Sequence, residues 1–422
     1  MIDIPTHKAI LYFGYDPACR KSGLPDFVID SLQPEPVTYD QEEAIQLGKK
    51  ALINAVKDEL RYKQDGGTHV VPISAGLDSR AILSTLFNHT DIDNNDIMTI
   101  TFGVEGLWDF EIGQSISDYL GLENITIDLH SNSFDWSEQK IRQFVSSVGL
   151  CPVRMFEAYA VHEAHTYFQK KNGFDDIILW NGFFGGPTTK SLSKKNTQNA
   201  WSSACESFIN RNRFTSEFDE LNFRPLSILP NQKYISSNQL PLEDQLNFAH
   251  RQMCFISPIL MKHANNYATP FANKKWLSFI LNTPTEFRKN RTLFKKMLYD
   301  MYPDIFSLPS DKTMGLPLTT NKRRLLARRF RLKLQRKISP KLDSSYIYPG
   351  KNYLDFNRKF RESGELRKTA KSLLESYDER DLKQIDAIKI WKKHQSGEDY
   401  NREIRAICSV ELYLSEGMQK SC

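Results

Sequence analysis

Between His69 and Trp180, four short apolar runs alternate with helical stretches, and no other feature limits the fold of this chain so tightly. The runs are His69 to Ile73, Ile97 to Phe102, Asn124 to Leu129 and Ile177 to Trp180. Their near-continuous hydrophobicity suits strands covered on both faces. Helical spacing fills the intervals, from Asp78 to Phe87, Phe110 to Leu120 and Phe156 to Gln169. A further helix from Gln41 to Arg61 precedes the first strand, with Ala44, Leu47, Ala51, Ala55 and Val56 among its apolar positions. Such alternation predicts an α/β fold with a doubly wound parallel sheet. The first 40 residues carry five prolines and one strand-like run, Ala9 to Phe13, so 1–40 is expected to be an extended, connector-like segment. Past about residue 190 the strand pattern stops. The 422 residues, at ~150 per domain, predict two or three domains. They divide into 1–40, an α/β core at 41–190 and a mostly helical half at 191–422, with a basic helix at 321–341.

Composition removes several classes. Hydrophobic residues at 40 % and charged residues at 25 % exclude dominant disorder. No apolar run approaches the ~18 residues that a membrane-spanning helix needs. Met1 to Tyr15 lacks a basic stretch followed by a long apolar one, so no secretory signal is expected. Six cysteines without CxxC spacing suit reduced thiols better than a disulfide framework or a zinc site. A cytoplasmic location is the resulting expectation.

The net charge of +5 is unevenly placed. Ten Lys and Arg and no acid lie between Lys322 and Lys341, and without them the net charge falls from +5 to −5. Leu326, Phe330, Leu334 and Ile338 recur every fourth residue within this segment. The plain expectation is a surface helix docked by that stripe. The alternatives are contact with an anionic membrane surface, an anionic glycan or nucleic acid. Nucleic acid is the weakest, because no aromatic-interleaved RNA module or helix-turn-helix accompanies the segment.

In open α/β sheets ligands bind at the carboxyl ends of strands. Ser74-Ala75-Gly76-Leu77-Asp78-Ser79 falls there, after the first strand. Small residues let backbone amides wrap an anion, and the Ser74 and Ser79 hydroxyls add donors. Asp78 would repel a bare phosphate, but it fits a site where magnesium lies between carboxylate and phosphate. The alternative is that Asp78 merely caps the following helix. His162 and His165 lie one helical turn apart, yet with no third ligand nearby they read as a packed helix surface. No G-x-S-x-G elbow is present.

These residues carry a resemblance. Ser74 to Ser79 resembles the S-G-G-L-D-S pyrophosphate loop of the asparagine synthetase-like ATP pyrophosphatases. Thr101-Phe102-Gly103 with Asp109 is similar to that family's second nucleotide segment. Trp180-Asn181-Gly182-Phe183-Phe184-Gly185-Gly186 falls where the family has G-x-G-x-D-E-x-F-G-G. Pro270-Phe271-Ala272-Asn273 resembles P-F-L-D, and Arg291 to Lys295 with Lys312 and Gly315 resembles the K-x-x-L-R and K-x-G stretches. The likeness extends over roughly residues 40–418. It implies an adenine nucleotide α-hydrolase-like fold and an ATP-dependent ligase that adenylates a carboxylate, releases pyrophosphate and passes the acyl group to ammonia or an amine. The implied cofactors are ATP and Mg2+. The implied nucleotide contacts are Pro72, Ser74, Ala75, Gly76, Leu77, Asp78, Ser79, Thr101, Phe102, Gly103, Asn181 and Gly182. Asp78 and Asp109 would hold the metal, while Asp78, Arg291, Lys295 and Lys312 would act in catalysis.

Three departures shape the expectation. The chain begins Met1-Ile2, whereas glutamine-using members of the family place a nucleophilic cysteine at the second position. Nitrogen is therefore expected from ammonia, an amine substrate or a separate glutaminase or biosynthetic partner protein. The 180–186 loop has no carboxylate. Arg291 stands where the family has Lys, which keeps the charge but not the shape. A catalytically degenerate ATP-binding scaffold is therefore the second reading. Amidation of a sugar acid in surface-polysaccharide assembly is the third.

Overall fold

The computed structural model describes the chain apart from residues 1–3, 20–22, 34–36, 38–39, 62–66, 132–133, 149–152, 173–176, 193–199, 219–221, 262–265, 343–347, 351–353, 381, 383–384 and 417–422. Five parallel strands form its main sheet: β1 (Thr68–Pro72), β2 (Ile97–Gly103), β3 (Asn124–Asp128), β4 (Ile177–Trp180) and β5 (Tyr267–Ala268). They lie in the order β3-β2-β1-β4-β5. Val70 of β1 is in register with Met98 of β2 on one side and Leu179 of β4 on the other. The chain thus builds outward from β1 through β2 to β3, then returns across β1 to place β4. The order reverses between β1 and β4, leaving a crevice at their carboxyl ends.

Strand alternation divides the apolar interior in two. Val70, Met98, Ile100, Ile125, Ile127 and Leu179 point into one core, while Val71, Ile97, Ile178 and Trp180 point into the other. The first core is covered by the helices Ile4–Phe13, Glu138–Val148, Met155–Asn172, Glu365–Glu379 and Asn401–Ser415. The second is covered by Gln41–Arg61, Asp78–His89, Lys274–Ile280 and Thr292–Met301. Helices on both faces explain why the strands need apolar residues at successive positions. The Trp108–Leu120 helix lies tight against the sheet: a Cβ on Gly113 would sit 2.9 Å from the Ile73 carbonyl oxygen and from Thr101 Oγ1. Only glycine permits that approach.

The structure revises three expectations. Ala9 to Phe13 is not a strand in an extended segment but part of the Ile4–Phe13 helix. Those five consecutive residues are all buried, and an all-apolar run carries no period by which helix and strand differ. Strands do not stop at residue 190, because β5 pairs with β4, accepting Leu179 N–H at Asn266 and Asn181 N–H at Ala268, both at 3.0 Å. Two residues are too few for a period-two signal. A small antiparallel pair, β6 (Pro309–Ser310) and β7 (Leu316–Pro317), lies further on. The basic segment is a helix, Lys322–Leu342, but its expected docking face is the wrong one. Leu326, Phe330, Leu334 and Ile338 are exposed, and Leu332 is buried instead. Arg328 fixes the inner edge, donating from Nε to the Met314 carbonyl at 3.1 Å and lying over the Trp108 ring at 6.0 Å.

Candidate functional site

The 74–79 loop leaves β1 at the crevice and opens the Asp78–His89 helix. Leu77 occupies the N-cap position without a side-chain cap, so the expected alternative of Asp78 as a helix cap is not realised. The first amides of that helix keep the orphan donors every helix start carries. Neither Ala75 nor Gly76 has a positive φ, so an alanine at 75 costs the loop no conformation it uses. Ala75 is buried and works through its backbone. Its N–H bonds to the Asp109 carboxylate, and its carbonyl accepts Ser310 Oγ at 3.0 Å and the Asp311 N–H at 3.3 Å.

Asp78 is held from two sides. Arg291 donates to it from both terminal nitrogens, with Nη1 at 3.5 Å from Oδ2 and Nη2 on Oδ1. The glycines of the 181–186 loop press on its other side: a Cβ on Gly182 would lie 3.0 Å from Asp78 Cβ, and one on Gly185 would lie 2.8 Å from Cγ. That contact explains the glycines of the motif, and the intervening Phe183 and Phe184 are buried in the second core. Phe184, Asn290, Arg291 and Met314 all adopt positive φ, at 67°, 54°, 61° and 58°. Left-handed non-glycine residues carry strain that surrounding structure must enforce, and all four lie in the loops around Asp78 and Lys312.

A cavity of about 340 Å³ opens at the β1/β4 crevice. Pro72, Ser74, Gly76, Asp78, Ser79, Phe102, Asp109, Asn181, Gly182 and Lys312 line it, as the sequence expects of a common site. Ala75, Leu77, Thr101 and Gly103 are buried behind this wall. Thr101 Oγ1 donates to Asn124 Oδ1 at 3.2 Å, tying β2 to β3, so its side chain has a structural part. Arg291 and Lys295 open onto an adjoining cavity of about 680 Å³, and Lys312 lines both. Lys190, Arg211 and Arg251 add further cations to the second cavity. Burial and the neighbouring Arg291, Lys312 and Lys190 charges pull the Lys295 ammonium below its ordinary range.

Carboxylates gather at the first cavity. Burial, aided by repulsion from Asp311, pushes the Asp109 carboxyl from 3.8 up to about 6, while the Ala75 amide and Lys312 oppose the shift. Lys312 Nζ pairs with Asp311 at 2.5 Å. Among the described residues no cluster of three or more His, Cys, Asp or Glu is arranged to hold a metal alone. Magnesium, however, takes most of its ligands from phosphates and water and needs only one or two carboxylates. Asp78 and Asp109 border the same space and satisfy that smaller demand. The Arg291 Nε–H, buried without a partner, is a donor without an acceptor, as expected beside an anion site.

Sequence reasoning missed Asp311 and set His165 aside as part of a packed helix surface. Asp311 belongs to a turn held by Arg80, whose buried guanidinium donates to the carbonyls of Ile305, Leu308 and Pro309. No spacing signal links Asp311 to Asp109, which lies far off along the chain. His165 lines the cavity from the Met155–Asn172 helix, edge-on to Phe102. Neither ring nitrogen has a hydrogen-bond partner, and burial with the adjacent His162 lowers its pKa to about 4, leaving it neutral. The expectation of a packed helix face holds for His165, which is buried against Phe102 with both ring nitrogens enclosed, while the edge of its ring borders the cavity. The chain matches no protein-family model and no curated protein.

Proposed function

We propose that this protein is an ATP-dependent, AMP-forming carbon–nitrogen ligase on a doubly wound, adenine nucleotide α-hydrolase-like fold. The observation that carries the reading is the convergence of segments distant in sequence on one cavity at the β1/β4 crevice. The 74–79 loop, Phe102, Asp109, Asn181 and Lys312 all face it. A nucleotide suits the cavity, with the amides at the uncapped start of the Asp78–His89 helix and the Ser74 and Ser79 hydroxyls donating to phosphate oxygens. Magnesium held by Asp78 and Asp109 would offset charge on the departing pyrophosphate.

The protein's own residues have separable parts. A substrate carboxylate attacks the α-phosphorus of ATP, the bond to pyrophosphate breaks, and an acyl-adenylate forms. Ammonia or an amine then displaces AMP. Lys312 lines both cavities, Arg291 reaches the first through Asp78 and Lys295 lines the second, and together they would supply positive charge to the departing phosphate. The cations of the second cavity suit an acid substrate, and its Asn212, Asn247 and Gln252 amides offer hydrogen bonds for orienting it.

A scaffold that binds ATP without turnover is the second reading, favoured by the absence of any carboxylate in the 180–186 loop. Pyrophosphate release decides between them. Purified protein with ATP, magnesium and a panel of acids and amines should release pyrophosphate in an acid-dependent manner. Asp78→Asn, which keeps the side chain's shape beside Arg291 and Gly185, should abolish release while the chain still melts cooperatively. Tight ATP binding with no pyrophosphate from any acid would establish the scaffold reading.

A further inference from the structure

The Lys322–Leu342 helix has two edges of opposite character. Its inner edge is docked by Leu332 and Arg328 on the Met314 carbonyl and the Trp108 ring. At ~100° per residue, the stripe of Leu326, Phe330, Leu334 and Ile338 falls on the opposite side. Those four side chains are 62, 72, 49 and 43 % exposed, a concentration of bare apolar surface that no other helix of the described structure matches. Arg324 and Arg331 flank the stripe on one side, Arg329 and Lys333 on the other, and all four are exposed. No acidic residue interrupts the segment.

Leaving that much apolar surface in water is unfavourable, and the flanking cations decide what relieves it. We infer that this face docks on an anionic phospholipid surface, with the stripe entering the interfacial region and the basic flanks meeting lipid phosphates. An interfacial helix needs an apolar face bordered by Lys and Arg, lying flat along its whole length. The docked inner edge favours a flat occupant, because a partner groove that wraps the helix would collide with the protein body. Self-association through the stripe would set like charges together. Nucleic acid would answer the cations but leave four apolar side chains without purpose. The helix follows directly on the loop that carries Asp311 and Lys312, so a docked protein would hold its candidate site beside the lipid surface. The inference does not rest on the ligase reading.

Vesicle flotation of the full chain tests it. Binding to vesicles of phosphatidylcholine with phosphatidylglycerol should exceed binding to phosphatidylcholine alone by about tenfold or more, and should weaken as salt is raised. The double variant F330D/L334D should lose most binding without a change in melting midpoint, since both side chains are exposed. R329E/K333E should lose it as well, which separates charge from apolar contact. Three results would overturn the inference: no preference for the anionic vesicles, binding unchanged in F330D/L334D, or retention on duplex RNA or an acidic protein that the F330D/L334D change leaves intact while vesicles are ignored.

Discussion

Arg288 and Asp244 form an ion pair at 3.1 Å with side chains 1 % and 0 % exposed, and breaking it should be among the costliest single changes available. Arg288 Nε also donates to the Thr188 carbonyl at 2.8 Å, and Asp244 accepts the Leu192 N–H at 2.9 Å. Burial pulls the guanidinium down and pushes the carboxyl up, and each group opposes the other's shift. Arg288→Met keeps the stem and removes the charge. The stranded carboxylate costs about 3–5 kcal/mol, and the unpaired Thr188 carbonyl adds about 1 kcal/mol. Asp244 escapes part of this by taking a proton. Its raised folded pKa means the penalty is full above that value and fades as pH falls, so the deficit should be larger at about pH 8 than at about pH 5. Replacing both partners, as R288M/D244L, removes the orphan and should recover most of the loss. Urea unfolding followed by tryptophan fluorescence at both pH values measures each quantity. An Arg288→Met variant within about 1 kcal/mol of the native chain, or a double variant no better than the single one, would refute this account. The pair also precedes the strained Asn290-Arg291 turn, so turnover should fall in the single variant before unfolding begins.

Three further outcomes are expected. In metal-free protein, Asp109→Asn should stabilise the fold by up to about 3 kcal/mol near pH 8, because a carboxyl raised to about 6 loses stability as pH rises through that value. The gain should vanish toward about pH 4 in thermal melts, and an equal gain at both ends would contradict it. Gly185→Ala places a Cβ 2.8 Å from Asp78 Cγ and 2.9 Å from the buried Phe271 ring. It should cost about 1–3 kcal/mol in denaturant titration and displace Asp78 from Arg291. His165→Phe should keep or raise the melting midpoint, since two unpaired ring nitrogens leave the interior. A midpoint lowered by the equivalent of more than about 1 kcal/mol in thermal melts would show that the ring nitrogens are paired after all.

The legible parts of this fold were those with a period. β1 to β4 and the helices between them announce themselves through apolar spacing, and β4 occupies Ile177–Trp180 as expected. The 74–79 loop was legible because a strand, a small-residue turn and a helix follow in direct succession. The Ile4–Phe13 helix was hidden because its apolar residues face protein on every side. β5 was hidden because its place depends on β4, not on its own two residues. The basic helix shows a subtler failure. Its regular stripe reads as the docking face, yet Leu332 and Arg328 hold it down, since a guanidinium over an indole buries a surface that pattern counts as polar. Asp311 reaches the cavity only through tertiary folding, from a segment whose local sequence carries no mark of it.

The division of the interior by the sheet has a temporal side. Every buried member of the second core lies between Leu24 and Phe306, whereas the first core runs from Ile10 to Tyr413. On a growing chain the second core can therefore consolidate, with the 74–79 loop already seated on it, while the C-terminal helices are still unmade. The first must wait for Asn401–Ser415 to return to Ile4–Phe13, a closure across nearly the whole chain. Until then that face of the sheet is covered only in part, by Ile4–Phe13, Glu138–Val148 and Met155–Asn172, and that interval is when a nascent chain of this design most needs protection from its neighbours.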